Sequence, residues 1–175
     1  KLTRPAAEVK ADVVEFIRLR FFNMCTAQGH PQDVVDAVLA ASFDDPLDAL
    51  ERIRALAELK GREDFEPLAV AFKRVVNIIK GGTDVDVDPA LFEGECERRL
   101  EDALQGVRGE VDTLAGGGDY GGALRAIATL RAPVDDFFEG VMVMAEDQVV
   151  RANRLALLTG VARLFEGIAD FSRIA

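Results

Sequence analysis

DPLDALERIRALAELKG, Asp45 to Gly61, is a helix written from cap to cap. Asp45 offers a carboxylate to the first free amides, and Pro46 sits where a missing N–H costs nothing. Leu47, Leu50, Ile53, Leu56 and Leu59 then recur every three residues until Gly61 ends the run. The same grammar repeats on both sides. Toward the N-terminus, a helix from Pro5 to Gln28 stops at Gly29, with a core stripe of Val9, Val13, Phe16, Ile17, Phe21 and Met24. Pro31 then opens a helix through Val34, Val35, Val38 and Leu39 that ends near Ser42. Toward the C-terminus, Asp64 caps a helix that carries Pro67 in its first turn and runs to Lys80 before Gly81 and Gly82. Asp88 and Pro89 repeat the cap-proline pair and open a long segment to Leu114, burying Leu91, Leu100, Leu104, Val107 and Val111. Gly116 to Gly118 interrupt the chain. A helix over Tyr120 to Leu130 follows, Pro133 restarts one toward Met144, and the last runs from Asp147 to Ile174. That makes eight helices and no alternating strand, hence an all-α bundle. No period of 20 to 50 residues recurs and the glycine turns are too short for linkers, so residues 1–175 are read as one domain.

The bulk properties narrow what such a bundle can do. With 175 residues, 49% of them hydrophobic, the chain can build one real core, and no uncharged run is long enough to span a bilayer. The chain opens on Lys1 with no basic-then-apolar leader, which predicts a piece of a longer, non-secreted protein. Two cysteines, Cys25 and Cys96, and one histidine, His30, offer neither a disulfide framework nor a zinc site, and read as buried thiols in a reducing cytoplasm. A di-iron bundle needs Glu-x-x-His pairs that a single histidine cannot supply. Asp84, Asp86, Asp88 and Glu95 fall at positions 1, 3, 5 and 12 of a calcium loop, but Pro89 occupies the position that needs glycine. Gly116 to Gly122 lacks the lysine and hydroxyl residue of a phosphate loop. Paired acids such as Asp44/Asp45 and Asp135/Asp136 have no nucleophile or histidine beside them. No motif specifies catalysis or a bound metal.

Charge is unevenly distributed. The total is −10, yet Phe16 to Gln32, Pro67 to Thr83 and Gln148 to Phe165 hold eight of the 21 bases and none of the 31 acids. A polyanion responds to the potential within about 8 Å at physiological salt, so acid elsewhere does not forbid binding. The alternative is that these bases lie over apolar helix faces with their heads in water. In the segment KRVVNIIK, Lys73, Asn77 and Lys80 share one helix face with Arg74 at its edge; in the last helix Arg151 and Arg154 stand three apart with Asn153 beside them. Cations for phosphates, together with an amide for a base edge, form the chemistry of RNA reading.

The run PVDDFFEGVMVMAEDQVVRANRLALL, Pro133 to Leu158, resembles the end of the β subunit of the bacterial heterotetrameric glycyl-tRNA synthetases. DVVDAVLA at Asp33, DDPLDALERIRAL at Asp44, AFKRVVNI at Ala71 and VDPALFE at Val87 fall in that family's order. Gly121-Gly122 departs from it where a helix should start. The resemblance implies a helical DALR-type anticodon-binding domain, similar to the C-terminal domain of arginyl-tRNA synthetase. It implies a cytoplasmic role in holding the anticodon stem-loop of tRNA-Gly, with no cofactor in this piece and no DNA or membrane partner. ATP and magnesium would serve the α2β2 holoenzyme, whose adenylate chemistry belongs to the α subunit, so this piece is non-catalytic. On that reading the tRNA-binding residues are Arg20, Lys73, Arg74, Asn77, Lys80, Arg151, Asn153 and Arg154, with the cations from all three windows converging in one cradle. Phe137, Phe138, Met142 and Met144 are expected to pack the last helices together. The competing reading is a protein-interaction bundle with no RNA affinity.

Overall fold

Aspartates open several helices where the spacing asks for them. In the computed structural model, which describes residues 4–79 and 85–174, Asp45 accepts from the Leu47 amide at 2.8 Å, Asp119 from Gly122 at 2.8 Å and Asp147 from Val149 at 2.7 Å. The described residues form eight α-helices: α1 (Ala6–Ala27), α2 (Gln32–Ala41), α3 (Pro46–Lys60), α4 (Phe65–Ile78), α5 (Glu95–Gly116), α6 (Tyr120–Ala128), α7 (Arg131–Gly140) and α8 (Gln148–Glu166). Two 3-10 turns, Pro89–Leu91 and Phe171–Arg173, complete the regular structure, and no strand occurs among the described residues. Helix α5 packs against α6, α7 and α8, while α3 joins α6 to α2 and α4 joins α8 to the C-terminal turn. The bundle is all-α, as the capping pattern implies.

Several element boundaries differ from the sequence reading, each for a local reason. Asp88 does cap, but only the 3-10 turn, through the Ala90 amide at 2.9 Å. Helix α5 waits until Glu95 because Glu97 turns back on the amides of Glu93 and Gly94, at 2.7 and 2.8 Å, and starts it there. Asp64 does not cap α4. Its carboxylate is taken by Arg62, at 2.9 Å on both oxygens, which holds its pKa below the usual aspartate value. Helix α7 begins at Arg131, with Pro133 tolerated in its first turn, and α8 ends at Glu166 before Gly167. Gly122 has its own explanation, since a Cβ there would stand 2.5 Å from Asp119 Oδ2, whose partner oxygen Oδ1 makes the cap.

The largest correction concerns α1. Its outer stripe of Val9, Val13, Phe16, Ile17 and Met24 is exposed, and the face turned to α2 is that of Arg18, Phe21, Phe22 and Cys25. Arg18 donates to the Leu39 carbonyl at 3.2 Å, and the Phe21 and Phe43 rings lie 5.3 Å apart. Met142 and Met144 are likewise not core. Residues 141–147 are not helical, and they alternate, with Val141 and Val143 turned inward and Met142 and Met144 turned out, 76% and 57% exposed. Phe137 and Phe138 are buried as expected.

Two buried arginines hold the layers. Arg52 on α3 donates to Asp48 at 2.8 Å and to the carbonyls of Val38, Ser42 and Ile168, joining α2 and the C-terminal end to α3; Tyr120 of α6 donates to the same Asp48. Arg154 on α8, 6% exposed, donates to Glu97 at 2.7 Å, to Glu93 at 2.6 Å and to the Met142 carbonyl at 3.1 Å. Burial alone would lower the pKa of Arg154, but the hydrogen bonds to Glu97 and Glu93 outweigh it and hold the guanidinium above its ordinary value. The C-terminal end closes over Phe72, whose ring lies 5.2 Å from Phe165 and 5.9 Å from Phe171. There the Asp170 amide donates to the Ala37 carbonyl at 2.9 Å, and Arg173 bridges Asp170 and Asp36.

Removing one member of the Arg154–Glu97 pair leaves the other charge buried. Arg154→Met should therefore cost about 3–5 kcal/mol in urea unfolding. Adding Glu97→Gln, which keeps an acceptor for the Glu93 and Gly94 amides, should recover part of that loss; an unchanged midpoint for Arg154→Met would contradict the assignment. A second prediction concerns pH. Burial would raise the pKa of Asp170, but hydrogen bonds from Ser172 and Arg173 prevail and lower it. A carboxyl lowered by folding contributes stability above its unfolded pKa, about 3.9, and that contribution disappears as pH falls through the lower folded value. Asp170→Asn should lower the thermal midpoint at pH 6 and converge with the wild type in strong acid.

Candidate nucleic-acid interface

Helix α4 buries Leu68, Ala69, Ala71, Phe72 and Val75 against the rest of the bundle, and this rotation leaves Arg74 and Asn77 exposed and Lys73 at the margin. Arg74 does not wave free. Its guanidinium carbon lies 4.0 Å from the centre of the Phe138 ring of α7, so an aromatic face positions the cation while its N–H edges stay in water. Among the described residues neither Lys73 nor Arg74 has a carboxylate within ion-pair reach. Lys73 also rims a hollow of about 480 Å³ with Phe65, Ala69 and Val70. Glu63 and Glu66 stand on the same rim and moderate its positive potential.

Four residues past Phe138 the chain enters the exposed Met142/Met144 segment, which leads into α8 and half-buried Arg151. Arg151 has no described ion-pair partner. Arg74 on its ring and Asn77 supply a positioned cation and an amide on the α4 face, and the two exposed methionines a polarisable apolar surface in the segment that follows α7, groups of the kinds that engage a single-stranded nucleic acid.

Other members of the expected set go elsewhere. Asn153 is buried, and its side chain reads protein backbone: Oδ1 accepts from the Asp88 amide at 2.7 Å and Nδ2 donates to the Asp88 carbonyl at 3.0 Å. That pair staples the segment ahead of α5 onto α8 and leaves no amide for a base. Arg154 is neutralised by Glu97 and Glu93 in the interior, so it cannot meet a phosphate. Arg20 lies on the outer stripe of α1, 4.8 Å from the Phe16 ring, and α1 packs chiefly on α2 rather than α4. Lys80 lies outside the described residues. The three acid-free windows therefore do not converge in one cradle.

Sequence reasoning missed a second cationic pair. Arg108 of α5 and Arg163 of α8 line a polar hollow of about 240 Å³ with Asp86, Glu101 and Gln105. Gly160 permits this close approach of α5 and α8, for a Cβ there would stand 2.8 Å from Leu104. Arg163 belongs to an acid-free window, but Arg108 sits in an acidic helix and carries no sequence signal.

With that geometry in place, the class of domain is settled by comparison: the chain belongs to the DALR anticodon binding domain family, whose profile matches residues 68–171, from α4 to the C-terminal turn. Among curated proteins it is similar to the glycine–tRNA ligase beta subunit of Syntrophotalea carbinolica, 64% identical over 175 residues, covering 100% of this chain and 25% of that protein. The beta subunit of Geobacter metallireducens is 58% identical with the same coverage, and that of Syntrophus aciditrophicus 47% identical over 174 residues, 99% of this chain and 25% of that protein. The chain thus spans about a quarter of the length of these relatives.

The missing cradle has a measurable consequence. Arg151→Ala should leave the urea midpoint within about 0.5 kcal/mol of the wild type, as for a surface change, in contrast to Arg154→Met. Comparable losses for the two would contradict the separation of surface from interior arginine on α8.

Proposed function

We propose that this domain holds the anticodon stem-loop of tRNA-Gly while the acceptor end is charged elsewhere in a glycyl-tRNA synthetase. The observation that carries the reading is the α4 face, where Arg74 rests on Phe138 next to Lys73 and Asn77. An anticodon is unpaired, so its bases can splay onto apolar surfaces and be read on their Watson–Crick edges, which duplex RNA hides. In this reading Lys73, Arg74 and Arg151 meet phosphates, Asn77 reads a base edge, and Met142 and Met144 give the bases an adaptable platform. Arg154 and Asn153 act indirectly by fixing that platform from beneath. Glycine activation with ATP and magnesium belongs to the remainder of an α2β2 assembly, reached through the parent β chain, in the cytoplasm. The family match and the beta-subunit relatives support the reading; the alternative is a protein-interaction bundle with no RNA affinity.

Titration of an anticodon stem-loop against the domain at several salt concentrations tests this. Lys73→Ala with Arg74→Ala should weaken binding and flatten the log–log salt slope by about one to two units. Unchanged affinity would overturn the site. Asn77→Ala should lose discrimination among loop bases while keeping the salt slope; uniform loss on every loop sequence would remove Asn77 from base reading.

A further inference from the structure

Helix α1 carries apolar side chains on two opposed faces, and the bundle uses one. Phe21, Phe22 and Cys25 turn toward α2 and its neighbours. Val9, Val13, Phe16, Ile17 and Met24 follow a spacing of four, three, one and seven, which puts them in a single exposed stripe on the other side, where only Arg20 of the same helix, 4.8 Å from the Phe16 ring, lies over it among the described residues. Phe16 is 58% exposed at its centre. A helix packed on one side needs one apolar stripe, and α1 carries a second one between its charged residues, so the stripe implies a second surface lying on it.

The size of the patch says what kind of surface. Five partly exposed side chains present on the order of 400 Å², whereas a stable complex between free partners buries roughly 800 Å² on each. A patch of that size holds a partner only when the partner is already tethered, because linkage raises its effective concentration to roughly the millimolar range. The relatives supply such a partner, since this chain matches only a quarter of their length. Helix α1 also lies before residue 68, outside the stretch that the anticodon-binding family shares. We infer that the outward stripe of α1 is an intramolecular docking surface, covered by an apolar face of the remaining three-quarters of a beta-subunit chain. Through α1 the body of the subunit would set the orientation of the bundle, independently of how α4 treats RNA.

The test uses a full-length Syntrophotalea carbinolica beta subunit carrying this 175-residue segment in place of its own matching quarter, alongside the segment alone. In a Cys96→Ser background, Ile17→Cys reports the stripe and Leu47→Cys, exposed on α3, serves as control for maleimide labelling. In the full-length chain Ile17→Cys should label at least tenfold more slowly than in the segment, with Leu47→Cys equal in both. Equal Ile17→Cys rates in both would overturn the proposal. So would protection in the segment that grows with its concentration, which would make a second copy the occupant, or protection of the full-length chain seen only with tRNA. A disruptive pair, Phe16→Asp with Ile17→Asp, should leave the thermal midpoint of the segment within a few degrees. The same pair should expose the full-length chain to limited proteolysis next to α1; unchanged proteolysis would count against docking.

Discussion

The contact on which the rest depends is the pairing of Arg154 with Glu97. Glu97 is 1% exposed, yet each of its oxygens is spoken for: one receives Arg154, the other the amides of Glu93 and Gly94. Charges are taken out of water at a cost, and only this full set of partners offsets it. The return is positional. One guanidinium fixes the start of α5, the second turn of α8 and, through the Met142 carbonyl, the segment between α7 and α8. Asn153 adds its two bonds to Asp88 one residue away. The Arg154 bond to the Met142 carbonyl adds to the burial of Val141 and Val143 in holding the segment with its valines in and its methionines out.

That organisation makes a strongly acidic protein compatible with an anionic partner. Many cations are consumed by carboxylates, among them Arg52, Arg62, Arg131, Arg154 and Arg173, and contribute to structure. The cations left without described partners include Lys73 and Arg74, and Arg74 is oriented by an aromatic ring rather than by an acid. A ring holds the side chain without cancelling its charge, so the guanidinium is a preorganised donor.

The fold was largely legible because it is local. Caps such as Asp45-Pro46 and Asp147 act within a turn of the chain, and the helices they open start where the sequence places them, although α8 stops at Gly167 rather than running to Ile174. The site was legible only in part, because a helix-face argument fixes spacing and not rotation. Lys73, Arg74 and Asn77 are on one side of α4 as their spacing says, but the same argument put Arg154 and Asn153 outside, where burial against Glu97 and Asp88 contradicts it. Nothing local distinguishes Arg151 from Arg154, since the partners of Arg154 are 57 and 61 residues away. Helix α1 failed for a related reason: two apolar stripes satisfy the same periodicity, and only the position of α2 shows which one the bundle uses.

The chain has three methionines, and they sit in different places: Met142 and Met144 in the exposed segment that follows α7, Met24 on the outer stripe of α1. Methyl NMR of the methionine-labelled domain, titrated with a tRNA-Gly anticodon stem-loop, therefore tests the central claim directly. The account predicts that the Met142 and Met144 methyl resonances shift with RNA in a saturable way while Met24 stays still. Movement of Met24 alone, or no movement at RNA concentrations that saturate binding, would contradict it.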